Sequence, residues 1–183
     1  MDKYISLPFN YEPKALLEVL DPIAKSVIPC HTKTVIQIYK MLGITVPIHS
    51  ILYFKLLPTE ASIIHIDKNL ANKNNDAEFA LNLPLLNSDK VIMRWYSDNN
   101  PITDYEIFIG PNGTNTPSLP KDRVTCIDQL YYTSPHIVRI NDWHSVENES
   151  TTNIAHFISL RFFSSLKTVM EKTWSGVQES NLY

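Results

Sequence analysis

The chain is predicted to be mainly β, a barrel or double-sheet jelly roll with N-terminal and flanking helices. Two helical patterns come first, many short strands broken by turn residues follow, and the apolar and charged fractions are ordinary for a globular protein. At 183 residues the length suits one domain with a sizeable core. No internal repeat and no linker divides it. The expected parts are a helical N-terminal segment at about 11–42, a β core at about 51–163 and a C-terminal helix at about 164–180.

From Pro13 to about Lys25, residues Ala15, Leu16, Val19, Leu20 and Ile23 recur at helical spacing, and Pro13 suits a first turn. Thr34 to Leu42 reads as a second short helix, stopped by Gly43. From Thr45 the texture turns to β. Ile51–Leu57 and Ala61–Ile66 read as strands around a Pro58-Thr59-Glu60 turn. Asn69 to Asp76 is a polar, asparagine-rich loop.

Phe79–Leu85 and Val91–Tyr96 read as strands separated by Asn87-Ser88-Asp89. Pro101 to about Pro120 is rich in Pro, Gly, Asn and Thr and is expected to loop out over a sheet. Lys121–Tyr131 is expected to be a helix. Ile137–Ile140 is a strand, Asn141-Asp142 a turn leading into Trp143-His144, and Asn148–Thr152 another turn. Ile154–Phe163 is a strongly apolar strand, and the tail after Ser164 is helical in pattern.

Charge and composition exclude several functions. A formal net charge of −3 argues against a dedicated nucleic-acid binder, whose footprint is basic. No run of apolar residues is long enough to span a bilayer, and the N-terminus lacks a signal peptide's apolar stretch. Cys30 and Cys126 do not make a disulfide framework. The expected setting is therefore reducing and cytoplasmic. Asn112-Gly-Thr and Asn148-Glu-Ser match the glycosylation pattern and, without a secretory signal, are read as chance.

The chemistry centres on His65-Ile66-Asp67 and on His144, 77 residues beyond Asp67. On a strand, residues i and i+2 share a face, so His65 and Asp67 can reach one ion. A distant histidine completes two imidazoles and a carboxylate, the facial triad of mononuclear non-haem iron(II) sites, provided the fold returns the chain beside its earlier strand. His31, His49, His136 and His156 have no such pattern and are expected to be surface or core residues. Trp95, Tyr96 and Trp143 flank the expected pocket, at least one of them as core.

The segments around these residues resemble the iron(II)- and 2-oxoglutarate-dependent oxygenases, which have a double-stranded β-helix core. Lys55–Asp67 looks like the strand-turn-strand that delivers His-x-Asp, and Ala80–Leu85 like the strand after it. Trp143–Asn148 resembles the distal-His strand, and Ile158–Phe162 the closing strand. The resemblance covers about Ile51 to Phe163. It implies iron(II) on His65, Asp67 and His144, 2-oxoglutarate chelating the metal, dioxygen as oxidant, and hydroxylation of a C–H bond in a small molecule or an amino-acid side chain.

One departure is plain. The family commonly carries an Arg or Lys shortly after the distal histidine, as a clamp on the far carboxylate of 2-oxoglutarate. Ala155 stands where that Arg often sits, and Ile154–Ser159 holds no basic residue except His156. Arg161 lies six residues on, some ~20 Å along an unbroken strand. Arg161, Arg94, Arg139 and Lys73 are the candidate clamps. Asn82 interrupts an apolar strand and is a candidate to hydrogen-bond a ligand in the barrel. A relocated clamp, another 2-oxo acid or a lost activity would each explain the departure. The rival classes are a cupin-like metal- or ligand-binding protein without turnover and a metal-dependent hydrolase or isomerase on the same barrel.

Overall fold

The computed structural model describes residues 3–7, 10–20, 27–28, 33–67, 77–99, 105–109 and 115–173. The expected loop at 69–76, Lys73, Cys30, His31, Asn112 and the helical continuations to Lys25 and to about residue 180 lie outside these residues.

Twelve described strands form two antiparallel six-stranded sheets. One sheet runs β1 (Tyr4–Ser6), β10 (His136–Arg139), β5 (Phe79–Leu86), β12 (Ala155–Phe162), β3 (Ile48–Leu56), β2 (Val27–Ile28). The other runs β7 (Glu106–Ile109), β8 (Asn115–Leu119), β4 (Ile64–His65), β11 (His144–Asn148), β6 (Val91–Asp98), β9 (Val124–Tyr131). In chain order β3, β4, β5 and β6 alternate between the sheets, and β9 to β12 return between them. That winding is the double-sheet jelly roll expected from the sequence.

Alternation along each strand sets the two faces of the first sheet. On β12, Ile158, Leu160 and Phe162 point outward and join Ile51, Tyr53, Leu81 and Leu83 in one cluster. The helices cover that face. α1 (Pro13–Leu20) contributes Leu16 and Leu20, α2 (Lys33–Leu42) contributes Val35, Ile38 and Leu42, and α3 (Leu166–Thr173) contributes Val169 and Met170. None of these helices is long and apolar enough to cross a membrane.

The inward face meets the second sheet. Leu56, Ala80, Val138, Ala155 and Phe157 pack against Val91, Met93, Trp95 and Leu130. Trp95 is fully buried, stacks on Tyr4 at 5.9 Å and donates its indole N–H to the Arg139 carbonyl at 2.9 Å. Of the expected aromatic trio, Tyr96 is buried as well, in a small cluster with Ile64 and Leu119 against which Trp143 packs.

Two expectations fail. Lys121–Tyr131 is not a helix: a short 3-10 turn at Lys121–Arg123 leads into β9, which pairs with β6 from Val124↔Asp98 to Tyr131↔Ile92. β9 lies at the sheet edge and buries one side chain, Leu130, so its sequence carries little alternation and the ladder to β6 decides its state. The expected loop at 101–120 contains a hairpin, β7 with β8.

Asn148 closes one end of the barrel. It is fully buried, and its Nδ2 lies within hydrogen-bonding distance of the carbonyls of Leu56, Leu57 and Asn153, at 2.8–3.1 Å. Its Oδ1 accepts from the Ser150 amide. The side chain is thus committed to the fold, in keeping with its sequon being chance.

Candidate metal centre

His65 ends β4 and His144 begins β11, and the two are direct cross-strand partners. Their rings lie 4.4 Å apart between centroids. Asp67 follows two residues after His65, where its amide donates to the Ile140 carbonyl at 2.9 Å and ties the end of β4 towards the other sheet. The His65 Nε2 is 3.3 Å from Asp67 Oδ1, and the His144 Nε2 is 3.9 Å from Asp67 Oδ2. One ligand atom from each residue lies within 4.8 Å of the others.

This set fits a divalent ion. Two ligands each about 2.1 Å from one metal lie ~3.0–3.4 Å apart at octahedral or tetrahedral angles, so shifts of a few tenths of an ångström to about one ångström close the site. The tautomers are also set. The His65 Nδ1 donates to the Ile63 carbonyl at 2.9 Å, and the His144 Nδ1 to the Asp142 carbonyl at 2.8 Å. Each ring is held from behind by the residue two before it, which turns both Nε2 atoms towards Asp67.

Arg161 enters the same centre. Its Nη2 lies 2.5 Å from Asp67 Oδ2. The expectation that Arg161 sits too far along its strand measured distance from Ala155 and not from the metal ligands. Its Cα lies opposite Ala80 on β5, and its side chain reaches across the barrel to Asp67.

The charges are strongly coupled. Burial alone would raise the Asp67 pKa, but the Arg161 guanidinium, followed by His65 and His144, holds the carboxyl far below the usual range. Burial pushes His144 down to about 4, helped by the charge of His65 and opposed by Asp67. Burial would also lower His65, yet its hydrogen bond to Asp67, the charge of that carboxylate and the Ile63 carbonyl together raise it. The result is an ionised carboxylate beside a neutral His144 and a His65 that holds its proton more tightly than a free imidazole does.

A cavity of about 80 Å³ opens behind the triad. Arg161, Ser159, Asn82 and Tyr132 line its polar side, and Phe54, Leu56, Met93, Val146 and Phe157 its apolar side. Asn82 donates its Nδ2 to the Tyr132 hydroxyl at 2.6 Å, and that hydroxyl donates to Met93 Sδ at 3.2 Å. Asn82 Oδ1 and Arg161 Nε are both buried without a partner.

Thus His65, Asp67, His144, Arg161 and Asn82 come together. Arg94 does not. It points from the opposite face of β6 to Met93 and pairs with Glu147 at 2.6 Å and Glu149 at 2.5 Å. Tyr132, Met93 and Ser159 were missed by sequence reasoning. Alternation along β6 and β12 was the available signal for Met93 and Ser159; Tyr132 lies just past the end of β9 and had none. Among the other histidines, His136 is buried in the core.

No protein-family model matches the chain, and no curated protein does. Among solved structures, one described as a non-heme monooxygenase, ThoJ apo, aligns over 88% of this chain and 74% of its own, at 11% identity and a TM-score of 0.43. One described as a non-heme monooxygenase, ThoJ-Ni complex, aligns over the same shares at 11% identity and a TM-score of 0.39. Likeness at this level carries no inference about activity.

Proposed function

We propose that the chain is a mononuclear non-haem iron(II) oxygenase, a hydroxylase acting on a small molecule or an amino-acid side chain. Dioxygen is the oxidant. A 2-oxo acid is the co-substrate, 2-oxoglutarate being the one used by the family that the motifs resemble. The observation that carries this is the convergence of His65 Nε2, His144 Nε2 and an Asp67 carboxylate oxygen, with both Nδ1 atoms tied to backbone carbonyls. Two imidazoles and one carboxylate on one side of an ion leave other coordination positions open, the pattern of iron(II) oxygenases and not of closed structural sites.

Iron(II), when bound, supplies the electrons that activate dioxygen. The remaining work belongs to the chain. The Ile63 and Asp142 carbonyls fix the imidazole tautomers. Arg161 holds Asp67 Oδ2, which leaves Oδ1 towards His65 for the metal. The apolar side of the cavity limits water near the reacting groups.

A second reading is a cupin-like metal- or ligand-binding protein without turnover. One observation favours it: a guanidinium already sits on the carboxylate that a dication would use. Two measurements separate the readings. Anaerobic titration should load about one iron(II) per chain, and His65→Ala should abolish loading while the circular dichroism of the fold persists. The loaded chain should then consume dioxygen and release carbon dioxide when given a 2-oxo acid. Metal uptake without consumption across a panel of 2-oxo acids leaves the binding reading.

A further inference from the structure

Building on the metal-centre reading above, we infer that the co-substrate is a short monocarboxylic 2-oxo acid with an uncharged tail, rather than dicarboxylic 2-oxoglutarate. The cavity behind the triad offers one anion subsite and a neutral interior.

Space is the first argument. The cavity measures about 80 Å³. The triad side chains form part of its wall, so the chelating end shares this space with the tail; an apolar cavity of ~150 Å³ admits benzene, and about half that volume favours the shorter tail. The tail of 2-oxoglutarate, two methylenes and a carboxylate, is longer.

Charge is the second. Among the described residues, Arg161 is the Lys or Arg side chain that lines the cavity. Its Nη2 is committed to Asp67, while its buried Nε has no partner and is a donor for one carboxylate beside the metal ligands. Arg94 is engaged by Glu147 and Glu149 on the far face of β6, and neither it nor Arg139, at the end of β10, lines the cavity.

The third is the chemistry at the tail end. Ser159 and Asn82 are register partners, one inward position along from Arg161 and Ala80. Asn82 is 4% exposed, and its Oδ1 is an acceptor without a donor. Its amide and the Tyr132 hydroxyl are spent on one another and on Met93 Sδ. A second carboxylate here would meet the Asn82 amide, the Ser159 and Tyr132 hydroxyls, a thioether and the Leu56 and Phe157 side chains, with no Lys or Arg among the described residues besides the Arg161 already paired with Asp67. A buried charge without a counter-charge is strongly disfavoured. An alkyl tail, or one ending in a hydroxyl that donates to Asn82 Oδ1, meets a matching wall.

The overall reaction balances. The C1–C2 bond of the 2-oxo acid breaks and carbon dioxide leaves. One oxygen atom of dioxygen ends in the shortened carboxylate, and the other is inserted into the substrate C–H bond. Two electrons come from the oxo acid and two from the C–H bond.

The test is calorimetric and needs no turnover. The full chain is titrated with nickel(II), and then with 2-oxobutyrate, 3-methyl-2-oxobutanoate and 2-oxoglutarate in separate runs. A short acid should bind at least about tenfold more tightly than 2-oxoglutarate. Asn82→Lys, which puts a cation at the tail end, should move the preference towards 2-oxoglutarate by a similar factor. Where that variant fails to fold, the parent titrations decide alone. Equal or tighter binding of 2-oxoglutarate to the parent, or no 2-oxo acid binding to nickel-loaded chain, overturns the inference and leaves the metal centre standing. No nickel uptake overturns the metal-centre reading, and the inference with it.

Discussion

Arg161 and Asp67 lie 94 residues apart in sequence and form a 2.5 Å ion pair inside the barrel. The guanidinium compensates a carboxylate that burial alone would neutralise. It also places a positive charge beside the position a dication would take.

Arg161→Met therefore leaves a buried carboxylate without its main partner. The metal-free protein should lose about 2–4 kcal/mol of stability. Nickel(II) should restore more stability to the variant than it adds to the parent, because the ion replaces the missing charge. Thermal denaturation with and without metal measures both. Equal metal-induced shifts in the two proteins would show that Arg161 and the metal do not share Asp67.

Metal affinity should depend on pH in a stated direction. His65 has a raised pKa, so a metal displaces its proton less readily than from a free imidazole, whereas His144 at about 4 is already neutral. Affinity should weaken by about tenfold per unit as pH falls below the His65 pKa, and level off above it. Calorimetry in buffers of different ionisation enthalpy should detect about one proton released per metal below that pKa. Pronounced tightening on acidification would refute the assignment.

Arg94→Ala should leave nickel(II) affinity and 2-oxo acid affinity unchanged. The residue lies on the far face of β6, in a partly exposed network with Glu147, Glu149 and Tyr131. Stability should fall by only about 1 kcal/mol. A several-fold loss of oxo-acid affinity would make it a clamp after all.

Asn148→Ala should be costly although it touches no metal ligand. It deprives the Leu56, Leu57 and Asn153 carbonyls of their donor, and the Ser150 amide of its acceptor. The expected loss is about 2–4 kcal/mol by chemical denaturation, with metal stoichiometry intact.

Much of this protein was readable in the chain. Strand alternation placed His65 and Asp67 on one face, because residues two apart share a face wherever the backbone is extended. The apolar runs marked β3, β5 and β12, since they face both the helices and the barrel interior, and β6, which turns Val91, Met93 and Trp95 to the interior. Edge elements were not legible: β9 buries only Leu130, and β7 buries nothing, so neither carries a periodic signal.

The sequence by itself determined the His65 and Asp67 pair of the candidate metal site and the layered β architecture, because both follow from local spacing and from which residues avoid water. The tertiary structure decided the rest. Closing two sheets around one interior brought Arg161 onto Asp67, turned Arg94 outward and set Asn82 and Tyr132 into the cavity wall. Distance along a strand says how far a residue lies from its own neighbours. Distance across a barrel depends on how the sheets wind, and that is fixed only when every strand has found its partner.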